Sequence, residues 1–158
     1  MRTSVRRITL GVGTLAAAVA PLVAVPAAQA GAHPYSPQRL CGPGYHIVSD
    51  RGGIHGKAHR RITYGYRTYG HVYLLYSHRT RKNCVVAIKS AFVGRRTPMS
   101  ATLGVRHGPT VTDRGSFKYY AGPVKLYAGK KCVKYFASMR LPNGRNATGG
   151  RYTWGNCR

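Results

Sequence analysis

Seven histidines and two aspartates are the residues through which this chain could move protons. Histidine titrates near neutrality, so two of them beside a lysine on a phosphate would supply the acid, base and anchor of a small ribonuclease. His55, His59, His71 and His78 fall close together, but no flanking pattern selects a pair among them, and His46 lies on a strand-like stretch where packing is the alternative. His55 and His59 have the four-residue spacing that a helix would align on a metal. Their segment is rich in glycine and no third ligand stands near in sequence, so neither a metal site nor a cofactor is expected. Asp50 and Asp113 are the only acids in 158 residues, with no Glu at all. That excludes paired-carboxylate glycoside hydrolysis, two-metal phosphoryl transfer and calcium loops. No Gly-x-Ser-x-Gly elbow occurs either. Asp50 precedes Arg51-Gly52-Gly53 and Asp113 precedes Arg114-Gly115, settings in which a turn carboxylate caps backbone amides or pairs with an arginine. No catalytic residue is assigned. The expectation is a non-enzymatic protein, with a basic nuclease of histidine type as the alternative.

Charge is the stronger signal. Twenty-six Lys and Arg against the two acids give a net +24. The basic residues cluster at Arg60-Arg61, Arg79, Arg81-Lys82, Arg95-Arg96 and Lys130-Lys131, with Arg67 between tyrosines. Such a surface attracts anionic polymers by counterion release, whether cell-wall polymer, acidic polysaccharide or nucleic acid, without reading their sequence. Solubility alone asks for a net charge of only about 2 to 8. Tyr64, Tyr66 and Tyr69, interleaved with Arg60, Arg61 and Arg67, raise base stacking as a second possibility, against the ordinary preference of tyrosine for strands.

Residues 1–30 read as a secretory signal: Arg2, Arg6 and Arg7, an apolar stretch from Ile8 to Pro26, and Ala28-Gln29-Ala30 as the cleavage signature. The adjacent arginines loosely match a twin-arginine signal, though the general route fits as well. Cleavage after Ala30 removes three basic residues and neither acid, leaving 128 residues at +21. No later segment reaches membrane-spanning length, so the mature chain is expected outside the cell or on a spore or cell surface. Four cysteines in an exported chain read as two disulfides. Three pairings are possible, and order along the chain favours Cys41 with Cys84 and Cys132 with Cys157.

These groups need elements to hold them. Residues 31–40, with Pro34 and Pro37, read as a flexible leader, and 41–158 as one domain. Short runs rich in Val, Ile, Tyr and Thr predict strands near 44–49, 71–78, 84–92, 99–106, 116–121, 123–128, 131–139 and 151–155. Turn chemistry falls between them, notably at Gly108-Pro109, Gly122-Pro123 and Pro142-Asn143-Gly144, and Asn146-Ala147-Thr148 reads as a loop. Residues 51–70 read as an extended basic loop. No helical period appears. The fold expected is all-β, a small antiparallel sandwich or barrel stapled by two disulfides.

Cys41-Gly42-Pro43-Gly44-Tyr45, Val72 to Tyr76, Lys82-Asn83-Cys84-Val85-Val86, Tyr120-Ala121-Gly122-Pro123-Val124, Lys131-Cys132-Val133 and Gly155-Asn156-Cys157 together form a pattern that runs through the mature region. In these stretches the chain resembles the spore-associated protein A family of secreted actinobacterial proteins. The resemblance implies a secreted or spore-surface protein and brings no catalytic residues. The chain departs from that family in its many Arg, Lys and His where relatives carry Ser, Thr and Asn.

Overall fold

Val133–Arg140 alternates cleanly: Val133, Tyr135, Ala137 and Met139 are buried, while Lys134, Phe136 and Ser138 are half-exposed and Arg140 exposed. A strand with one wet face requires that period of two. In a computed structural model, which describes residues 34–157, strands are the dominant element, making up more than half of the described residues. They are β1 (His46–Ile47), β2 (His59–Tyr64), β3 (Arg67–Ser77), β4 (Lys82–Lys89), β5 (Thr97–Val105), β6 (Thr110–Phe117), β7 (Tyr120–Tyr127), β8 (Val133–Arg140) and β9 (Asn146–Gly155), preceded by a short helix α1 (Pro37–Cys41). The expected signal, residues 1–30, lies outside the described residues.

All pairings are antiparallel, in the order β6-β5-β8-β9-β2-β3-β4-β7, with β1 added on β3. The sheet curls until its two edges, β6 and β7, meet in a nearly closed barrel. Closure buries Ile62, Val72, Leu74, Val85, Leu103, Val133, Tyr135 and Met139 in one core. β4 is buried on both faces, because its outward Cys84, Val86 and Ile88 are covered by the N-terminal segment through Cys41 and Tyr45. The Cys41–Cys84 disulfide fastens that cover, and Cys132–Cys157 fastens the C-terminal end to the start of β8. Both expected pairings are present.

Several local expectations are corrected. The leader acquires a helical turn at Pro37–Cys41, because Ser36 caps it by accepting from the Arg39 amide and Pro37 suits the first position. Residues 51–70 are not one loop. They contain β2 and the start of β3, since Arg60, Ile62 and their neighbours alternate between the two faces, and a strand accepts arginine wherever its head finds water or a carboxylate. Gly122-Pro123 is no turn. β7 runs through it with a bulge opposite Val85–Ala87, which an edge strand tolerates because Pro lacks only a donor it would not use there. Gly122 itself has φ +94°, and a Cβ would lie 2.6 Å from the Val85 carbonyl. Asp113-Arg114-Gly115 lies inside β6, and Asn146-Ala147-Thr148 opens β9 with Ala147 fully buried.

Candidate functional site

The two acids that could have neutralised the surface are both used inside the fold. Asp50 is buried near the end of the barrel that carries the β3–β4 turn, here the upper end. Its Oδ2 accepts from Arg60 Nε at 3.0 Å, Arg60 Nη2 at 2.8 Å and the Tyr135 hydroxyl at 2.8 Å, and its Oδ1 accepts from Arg151 Nη1 at 2.8 Å. Burial and the hydrogen bond to Asp50 push the Tyr135 phenol well above its ordinary range. Asp113 sits at the seam, where its Oδ2 accepts from the Gly122 amide of β7 at 2.7 Å. Lys89 closes the same seam from the other side. Fully buried, its Nζ donates to the carbonyls of Arg95 at 2.7 Å and Phe117 at 3.2 Å and to Thr97 Oγ1 at 2.8 Å. Burial, aided by the nearby Arg95 charge, lowers its pKa to about 8.

Among the described residues, Arg60 and Arg151 make the salt bridges, both to Asp50. Arg60, expected on the polymer-binding surface, turns its guanidinium to a buried carboxylate. The other expected residues are exposed and fall into separate groups. Arg79, Arg81 and Lys82 lie at the β3–β4 turn of the upper end, as do Lys130 and Lys131 in the β7–β8 connection, where the Ala128 amide donates to the Arg81 carbonyl. Lys130 and Lys131 join Arg106 and His107 around a hollow of about 290 Å³. Arg67 lies over the Tyr69 ring at 5.9 Å, at the lower end, and Arg61 points outward from β2. Tyr66 is fully exposed at the β2–β3 turn, whereas Tyr69 stacks on Phe92.

Arg95 and Arg96, at the lower end, have partners that sequence reasoning missed. Arg96 donates to the Ser116 carbonyl at 3.0 Å and borders two hollows, one of about 190 Å³ with Arg95 and Arg140, the other of about 440 Å³ with Lys118, Tyr35 and Tyr120. Arg140 also borders a third, of about 430 Å³, with Arg114, Ser100 and Ser138. Shared Arg96 and Arg140 make the three hollows one basic track along β5, β6 and β8. Arg114 and Arg140 each stand alone in sequence. The signal that could have found them is strand alternation, which puts Thr112, Arg114 and Ser116 on the outer face of β6 and Ser138 and Arg140 on that of β8.

The histidines separate as well. His46 is exposed, and His78 meets the Tyr76 ring edge-on. His59 and His71 do meet, on the outer face of β2 and β3, with His59 Nε2 2.8 Å from His71 Nδ1 and the His59 ring stacked on Tyr73 at 4.4 Å. Burial first, then the charges of His71, Arg61 and His55, lowers the His59 pKa to about 4, and burial with Arg61 lowers that of His71. The His59 imidazole is neutral at pH 7.

A comparison with curated proteins finds spore-associated protein A of Streptomyces coelicolor, 33% identical over 97 residues, which are 61% of this chain and 54% of that protein. This chain resembles spore-associated protein A. The match spans about half the length of that relative. No family profile matches the chain, and no solved structure matches it. No helix among the described residues is long and apolar enough to cross a membrane.

Proposed function

We propose that this chain is an exported, non-enzymatic protein of the spore or cell surface that holds anionic polymer along the Arg95, Arg96, Arg114 and Arg140 track. The observation that carries this reading is the fate of the acids. Asp50 and Asp113 are taken up by internal bonds, so the outer arginines and lysines face solvent with no carboxylate among the described residues to pair with. Unpaired guanidinium groups along a concave path suit the bidentate oxygens of phosphate, sulfate or carboxylate groups on a chain. The name of the similar Streptomyces protein supports the location. Contact between His59 and His71 supports the non-catalytic reading: a nuclease pair needs the scissile phosphate between its two rings, and these rings touch each other.

Binding of the oxidised protein lacking residues 1–30 to a polyol-phosphate polymer, a duplex DNA and an RNA, at several salt concentrations, tests the proposal. Expected is tight binding at low salt that falls steeply as salt rises, with the RNA left intact. Substituting Arg96, Arg114 and Arg140 together by Gln should flatten the salt dependence more than substituting Arg79, Arg81 and Lys130. Undetectable binding at low salt, or cleaved RNA, refutes it.

A further inference from the structure

We infer that His59 Nε2 and His71 Nδ1 form a two-imidazole site for a transition-metal ion that prefers square-planar or tetragonal geometry, Cu(II) above all, on the outer face of β2 and β3. The two nitrogens are 2.8 Å apart. Metal–imidazole bonds of about 2.0 Å meeting at a right angle put two nitrogens about 2.8 Å apart, whereas tetrahedral zinc needs about 3.3 Å. The proton shared between the rings now holds the separation a tetragonal metal would hold. When the metal enters, the ring that donates the N–H takes the other tautomer, its proton moving through water to the far ring nitrogen, and both facing lone pairs are freed with no net proton release.

The surroundings support the site. Strand pairing fixes the backbones, since His59 stands opposite Tyr73 and Arg61 opposite His71, which makes the two histidines diagonal neighbours across one ladder. Stacking on Tyr73 fixes the His59 ring. Among the described residues no third His, Cys, Asp or Glu completes the site, so the remaining positions are open to water or to an anion. Donors that are all nitrogen favour copper and nickel over magnesium or calcium. The Arg61 charge beside His71 opposes any cation and selects for the ion that binds imidazole most strongly.

Cu(II), Ni(II) and Zn(II) are titrated separately into the oxidised protein lacking residues 1–30. Its amino terminus is acetylated, because a free Gly31-Ala32-His33 end would chelate Cu(II) through its amine, amides and imidazole. Expected is one Cu(II) per chain whose electron paramagnetic resonance shows two imidazole nitrogens, with Ni(II) and Zn(II) weaker. The signal should be lost in both His59→Ala and His71→Ala and kept in His78→Ala and His107→Ala. Counting nitrogens in the unmodified chain does not depend on any variant folding, and His59→Gln keeps a polar neighbour for His71 if the alanine variant unfolds. Cu(II) coupling that survives the loss of either His59 or His71, fewer than two coupled nitrogens in the unmodified chain, or zinc binding tighter than copper overturns the assignment.

Discussion

Asp50→Asn removes one charge and almost no volume from the buried centre of the upper barrel, which makes it the sharpest test of how this fold tolerates its own basicity. Four hydrogen bonds converge on the carboxylate, three from guanidinium groups and one from Tyr135. The asparagine amide can accept at one end only, and its NH2 faces donors. Breaking a fully buried ion pair costs about 3 to 5 kcal/mol. Here the arginine side chains keep 23% and 25% of their exposure while the carboxylate has none, so water recovers part of the loss and the lower end applies, about 3 kcal/mol. A domain is stable by only about 5 to 15 kcal/mol. With a denaturant slope of about 1.5 to 2 kcal/mol per molar, the urea midpoint of the oxidised protein should drop by about 1.5 to 2 M. Arg60 and Arg151 are at the same time released from their counter-ion, so the folded variant should bind polyanion at least as tightly as the parent. A midpoint drop under about 0.5 M would refute the claim that Asp50 organises the barrel end. Weaker polyanion binding by the folded variant would refute the view that Asp50 withholds two arginines from the surface.

Lys89 gives a pH signature. Its folded pKa of about 8 lies below the ordinary 10.5, so between those values the unfolded chain binds more protons and stability rises with pH. The urea midpoint should climb from pH 8 to 9.5, and Lys89→Met, which fills the same space without a charge, should flatten the climb; an unchanged slope in that variant refutes it. Asp113→Ala strips the Gly122 amide of its acceptor at the seam and should cost about 2 kcal/mol, with faster amide exchange at Gly122 than in the parent. Removing both members of a disulfide should cost about 4 kcal/mol for Cys41–Cys84 and about 3.5 kcal/mol for Cys132–Cys157, whose partners are 43 and 25 residues apart, read as urea midpoints of the paired alanine variants.

The sequence by itself determined the class of molecule. Strand-length runs of Val, Ile and Tyr between Gly and Pro turns point to antiparallel sheet, and chain order favours, among three possible pairings of four cysteines, the one the structure holds. It also determined the sign and size of the surface charge, because only two acids exist to offset it. Which basic residues are free was decided by the tertiary structure. Arg60 and Arg61 are adjacent and alike in sequence, yet strand alternation sends Arg60 to a buried carboxylate and Arg61 to solvent. Arg114 and Arg140 look isolated along the chain, yet β6 and β8 flank β5 and bring them around one hollow. Gly122-Pro123 has the local chemistry of a turn, but the seam at β6 supplies an acceptor for Gly122 and lets the strand continue. His59 and His71, twelve residues apart, touch only because a bulged β2–β3 ladder makes them diagonal neighbours. Local propensity carries the period of a strand; it does not carry the register between strands, and register is what assembles a site from residues that are distant in sequence.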